Sequence, residues 1–185
     1  KSIIEIINKE EWNIVGFISN ENEKKREFLS YKLIGSDSDL ENLRKKYSYG
    51  FVAIGQIGSP NKRKKIINHM SNFNFKFPKL ISQFSIISYH SIIKEGSSIA
   101  HGVIINSGAI IKKHCIINTK ALIEHDVEIG EYCHISTGAI INGGVKIGNN
   151  SFIGSGVIIR EGLVIPPNSI ISAGKRIMGW PLREV

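Results

Sequence analysis

Isoleucine stands at every sixth position from Ile81 to Ile177, seventeen times without a miss. A period sustained over this length specifies a stack of like units rather than one irregular core. Four residues after each isoleucine comes a second series, including Val103, Ala109, Cys115, Ala121, Val127, Cys133 and Ala139, and its members are nearly all small. Side chains alternate along a strand, so each small residue and the isoleucine two positions later point the same way, into a shared core. The remaining positions turn a corner. Three such units close a triangular coil of roughly 18 residues, and successive coils stack as parallel strands roughly 4.8 Å apart. Residues 79–178 are therefore expected to form a parallel β-helix of hexapeptide repeats, with 179–185 as a C-terminal tail.

In this register the residue before each core isoleucine faces outward. One of the three faces then reads Ile86, Ile104, Leu122, Ile140, Ile158. A monomer in water does not normally expose such a ridge, so the face is expected to pack against another subunit in a closed ring. His125 lies at the corner leaving this face, and His134 points outward from a different face half a coil on. A joint role for the two is then expected across a subunit interface. Cys115 and Cys133 occupy inward positions one coil apart and are expected to be free thiols in the core.

Residues 1–78 read differently. "SIIEII" reads as helix, "WNIVGFI" as strand, "SDLENLRKKY" as a helix capped by Ser36 or Asp37, "GFVAIG" as a second strand, and "SPNKRKKIINHM" as a helix with Pro60 near its first turn. Alternation of strand and helix predicts a small βαβ unit with a parallel sheet. Ligands of such sheets bind beyond the strand ends, here at Ser19, Asn20 and Gly55. The stretch begins inside a helix, so the first strand of such a unit is expected to be missing from it.

The formal net charge of +8 comes largely from clusters at 23–26, 44–46 and 62–65. They carry no aromatic stacking pattern, so they read as solvated helix faces rather than a nucleic-acid site. No run of 18 apolar residues and no signal-peptide pattern occurs, and two cysteines are too few for a disulfide framework. A cytoplasmic protein without membrane or nucleic-acid partners is the expectation.

The stretch "NTKALIEHDVEIGEYCHISTGA" (118–139), in register with the ladder and preceded by the α/β unit, resembles the sugar acetyltransferases of the hexapeptide-repeat superfamily. These include the bacillosamine and perosamine N-acetyltransferases and the sialic-acid O-acetyltransferases. The resemblance implies a left-handed β-helix preceded by a small Rossmann-like domain, a homotrimer with its active site between subunits, and acetyl-CoA as co-substrate without a metal. The acceptor it implies is a nucleotide-linked amino sugar of bacterial surface-glycan or glycoprotein biosynthesis, or in the second instance a sialic acid. His125 matches the family's general base, for which imidazole suits because it titrates near neutrality. Asp126 stands where the bacillosamine enzymes place the glutamate that raises the basicity of this histidine. Gly143 matches the glycine whose N–H stabilises the developing oxyanion. His134, Ser155 and Ala173 match coenzyme-contacting positions, and Ser19, Asn20 and Gly55 the sugar-nucleotide site. The chain departs from the family pattern in lacking the glycine-rich turn after a first strand, and at Gln56 and Leu182.

Two rival classes share the prism. A γ-type carbonic anhydrase binds zinc between subunits through histidines five residues apart, a spacing that no histidine pair here has. A non-catalytic scaffold or sugar-nucleotide-binding module would show no turnover of acetyl-CoA.

Overall fold

The computed structural model describes residues 2–19 and 27–180. The ladder forms seventeen two-residue strands, β4 to β20, one every six residues from Leu80–Ile81 to Arg176–Ile177. They pair only in parallel and sort into three sheets, in the orders β19-β16-β13-β10-β7-β4, β20-β17-β14-β11-β8-β5 and β18-β15-β12-β9-β6. These are the first, second and third faces of a left-handed parallel β-helix. Partners are eighteen residues apart, as in Ile116↔His134↔Phe152 and Leu122↔Ile140↔Ile158.

The inward positions close the core. Ile99, Ile105, Ile111, Ile117, Ile123, Ile129, Ile135 and Ile141 are 0% exposed, as are Val103, Ala109, Cys115, Val127, Cys133 and Ala139 between them. Each buried isoleucine contributes about 1.5–3 kcal/mol of transfer free energy, which is how strands of two residues can hold together. Both cysteines are free thiols. Burial raises both, Cys133 to about 12, and each Sγ–H donates to a carbonyl further along the chain, Gly130 O and Gly148 O. On the second face the outward ridge is present, Ile86 being 67% exposed and Ile104, Leu122, Ile140 and Ile158 partly so.

The corners place the second of two turning residues in the left-handed region. One column of these is Gly96, His114, Tyr132, Asn150 and Asn168, with φ between 56° and 68°. Asparagine tolerates that conformation through local hydrogen bonding, whereas histidine and tyrosine are held there by packing. The His114 ring stacks on Tyr132, centroids 5.1 Å apart, and meets the edge of Phe77.

The N-terminal part differs from the expected βαβ unit. Helices α1 (Ser2–Ile6) and α3 (Asn61–Asn72) form as read, with Pro60 preceding α3. The helix between them begins as a 3-10 turn, Asp37–Asp39, before α2, Leu40–Lys46. Ser36 donates its backbone N–H to Asp39 Oδ2 at 2.8 Å. Of the strand expected over 12–18 only Phe17–Ile18, β1, is laddered. It pairs in parallel with β3, Tyr31–Gly35, which in turn pairs antiparallel with β2, Glu27–Phe28. A hairpin rather than a helix thus leads into β3, and the sheet is mixed. Residues 50–55 form no strand: no described strand runs beside them, and the nearest pairing is a single bridge, Tyr49↔Lys76. Phe51 and Val52 are used in packing instead, Phe51 against the prism core and Val52 with Leu40, Ile67, Met70 and Phe75 in a second core.

Two further expectations are corrected by the way this part seats on the prism. Arg63, from the basic cluster at 62–65, is 2% exposed rather than solvated, and His114, which the six-residue register puts on a corner and which would therefore be expected at the surface, is 6% exposed. Asn20, the cluster at 23–26 and residues 181–185, with Leu182, lie outside the described residues. No helix among the described residues is long and apolar enough to cross a membrane.

Candidate active site

His125 and Asp126 form the corner that follows β11, Leu122–Ile123. Asp126 has φ +59°, the conformation of the third residue of a type II turn, and its N–H donates to Ser107 O one coil below. Aspartate is one of the few residues that accept this conformation, so the carboxylate is supplied by a position the corner itself constrains. The tight turn brings the adjacent side chains together: His125 Nδ1–H donates to Asp126 Oδ2 at 2.9 Å. A carboxylate only accepts, so this bond assigns the ring proton to Nδ1 and leaves the Nε2 lone pair outward. The pair is exposed, His125 by 66% and Asp126 by 72% of their side-chain surfaces.

Gly143 stacks one coil above His125. A Cβ at Gly143 would lie 2.6 Å from His125 Nε2 and 2.7 Å from Cε1, so the imidazole occupies the space a side chain would need. The backbone is tied on both sides, Gly144 N–H to His125 O and Gly162 N–H to Gly143 O. The Gly143 N–H itself donates to no described residue.

His134 opens β13, His134–Ile135, on the first face. It leaves the prism outward, as the register predicts, yet is only 7% exposed because the N-terminal part covers it. Its Nδ1 meets the backbone carbonyl of Gln56 at 2.5 Å and its ring abuts the edge of Phe152. Nε2 is buried with no partner among the described residues. Burial pushes this imidazole below its ordinary value, opposed by the Gln56 carbonyl and aided by the Arg63 charge. Ser155 and Ala173 sit one coil apart at the corner between the first and second faces, Ser155 sharing a hydrogen bond with Ser136 at 2.9 Å. Within one chain the two histidines therefore lie at separate places round the prism, as the register requires.

A cavity of about 190 Å³ opens between α1, residues 51–55 and the first face, where Ser98, Asn118 and His134 are its polar lining. Gly55 borders it, so Gly55 and His134 share one cavity. Ser19 does not line it; its N–H donates to Gly35 O at the end of the small sheet. Sequence reasoning missed the burial of Gln56 and Arg63, which the next contacts explain. Arg63 Nη1 donates to Gln56 Oε1 (3.2 Å) and to His114 O (3.1 Å), and Gln56 Nε2 donates to Tyr132 O (2.9 Å). Only the isolated position of Gln56 after an apolar run hinted at this. Among the described residues, no group of three or more His, Cys, Asp or Glu could hold a metal ion.

Three stacked parallel faces on a six-residue repeat, with a histidine–carboxylate pair on one corner, define a protein of the hexapeptide-repeat class. Residues 1–70 match the family model described as the PglD N-terminal domain. The chain is similar to the acetyltransferase domain of PglB from Neisseria gonorrhoeae, with 27% identity and a TM-score of 0.80 over 88% of this chain and 78% of that one. It is also similar to a perosamine N-acetyltransferase from Caulobacter crescentus, solved as a histidine variant in complex with CoA and GDP-perosamine. There the identity is 25% and the TM-score 0.67, over 80% of this chain and 78% of that one. WeeI from Acinetobacter baumannii shares the fold at 22% identity and a TM-score of 0.67, over 92% of this chain and 85% of that one. No curated protein matches by sequence. Residues 1–70 and the fold of the described chain are thus similar to those of sugar acetyltransferases of the hexapeptide-repeat type.

Proposed function

We propose that the protein transfers an acetyl group from acetyl-CoA to an amine of a nucleotide-linked sugar, with His125 as general base. The observation that carries this reading is the corner itself. Asp126 holds the Nδ1 proton of His125, leaving Nε2 as a lone pair beside a glycine whose N–H has no described partner. The acceptor amine attacks the thioester carbonyl, His125 Nε2 takes the amine proton, and the carbon–sulfur bond breaks to release the CoA thiolate. Gly143 N–H faces the charge that gathers on the thioester oxygen, and holding both reactants in one groove supplies the proximity term. A sugar acetyltransferase from Caulobacter crescentus bound to CoA and GDP-perosamine supports both the coenzyme and the acceptor class.

In this reading residues 1–78 bind the sugar nucleotide through Ser19 and Gly55, and 79–178 carry out the transfer. His134, Ser155 and Ala173 border the coenzyme, which the buried unpartnered Nε2 of His134 fits. The ridge of the second face is the contact of a homotrimer, which would bring His125 of one chain towards a neighbour's coenzyme site.

Thiol release from acetyl-CoA, measured against a panel of amino-sugar nucleotides and nonulosonic acids, tests class and acceptor together. His125→Ala is expected to lower turnover about 10²–10⁴-fold while leaving the fold intact, since the side chain is exposed. Equal release by the two proteins, or stoichiometric zinc in the purified chain, would overturn the proposal.

A further inference from the structure

Gln56 is the one buried residue of an otherwise exposed stretch, 53–57. It is 3% exposed and bonded at three points. Its side chain accepts from Arg63 and donates to the Tyr132 carbonyl, while its own carbonyl meets His134 Nδ1. It thereby bridges two prism positions two residues apart, a corner and the strand after it. Arg63, reaching past it to His114 O, ties the same point to the coil below.

A backbone carbonyl is only an acceptor, so the bond to Gln56 requires that His134 Nδ1 carry the proton. A neutral ring then has its lone pair on Nε2. Burial pushes the His134 imidazole down, which favours the neutral form at neutral pH. Nε2 is thus a buried acceptor with no described partner, a costly arrangement that native proteins keep where a ligand or water satisfies it.

We propose that Gln56 is a positioning residue for acetyl transfer: its carbonyl, clamped by Arg63 and the Tyr132 carbonyl, locks His134 as the Nδ1–H tautomer so that Nε2 accepts from an N–H or O–H donor on the coenzyme arm. The proposal rests on the reading of His134 as a coenzyme-bordering residue. A carbonyl orienting one ring nitrogen so that the other meets a ligand is the arrangement by which proteins fix histidine tautomers elsewhere. Gln56 touches no reacting atom in this scheme, and its effect passes through the imidazole.

Long-range ring 15N–1H correlation spectra of the intact wild-type protein at neutral pH report the tautomer directly. The expected spectrum shows His134 protonated at Nδ1 only, and addition of acetyl-CoA perturbs the Nε2 signal. Gln56→Leu, which removes both side-chain bonds, is expected to give a mixture of tautomers. It should raise the KM for acetyl-CoA about fivefold or more, with kcat falling by less than that, the scale of one lost hydrogen bond. A wild-type protein that turns over acetyl-CoA with His134 protonated at Nε2 overturns this proposal alone. A wild-type protein that neither binds nor turns over acetyl-CoA overturns the functional reading and this one with it. A Gln56→Leu protein with unchanged tautomer and KM also overturns it, and the wild-type spectrum decides by itself if that variant is not recovered folded.

Discussion

At the scale of single residues, the site turns on what glycine leaves vacant. Gly143 has no left-handed φ, so alanine fits its backbone, but the added Cβ would fall 2.6 Å from His125 Nε2. Gly143→Ala is therefore expected to push the imidazole off its seat, lowering kcat/KM at least about tenfold while shifting the melting temperature by only a few degrees. Steady-state kinetics beside a thermal scan check both halves; retained activity would mean that the ring is not used where it rests. The corner positions of His125, Asp126 and Gly143 were legible in the sequence because the six-residue period numbers every corner, whereas the roles proposed for them come from the family resemblance and not from the period. Nothing local marked Arg63: within "NKRKK" it is one cation among four, and only the coil stacked against α3 distinguishes it.

Among elements, the ladder of short strands was fully readable and the N-terminal strands were not. The inward isoleucines report their own burial through periodicity, whereas "GFVAIG" is apolar without a neighbour to pair with, and an apolar run alone does not say what it packs on. The seating of α3 and residues 51–56 on the corner column has a pH signature. Burial first, and the Arg63 charge second, hold the His114 imidazole at about 4 against an ordinary 6.5. Between these values the unfolded chain binds a proton that the folded chain refuses. Stability is accordingly expected to fall as pH drops from 6.5 towards 4, by up to about 1.4 kcal/mol per pH unit for this group, and then to level off. His134, also lowered, acts in the same direction. His114→Asn keeps a residue suited to φ +57° and removes the titration, so its urea midpoint should lose less between pH 7 and 4.5 than the wild type does. Parallel losses would assign the pH dependence to other groups.

For the whole molecule, the second face decides whether one chain is a complete enzyme. Leu122 and Ile140 are neighbours in register on that face and only partly covered in the single chain. If the proposed trimer forms through this face, Leu122→Asp together with Ile140→Asp is expected to give monomers by light scattering and to abolish transfer, while far-UV circular dichroism stays unchanged because neither side chain enters the core. Monomers that keep full activity would place the whole site within one chain. The strict stacking of corners has a further consequence for length variation. Gly143 lies over His125 because one circuit separates them, so an insertion or deletion of a whole circuit elsewhere leaves every later residue on its own face. Removing a single six-residue unit between the two keeps the core pattern unbroken but turns everything downstream by a third of a circuit, bringing Asn149 above His125 in place of the glycine. Such a protein would keep its fold and lose the proposed histidine–glycine pair, so the prism tolerates shortening at this corner only in steps of three units.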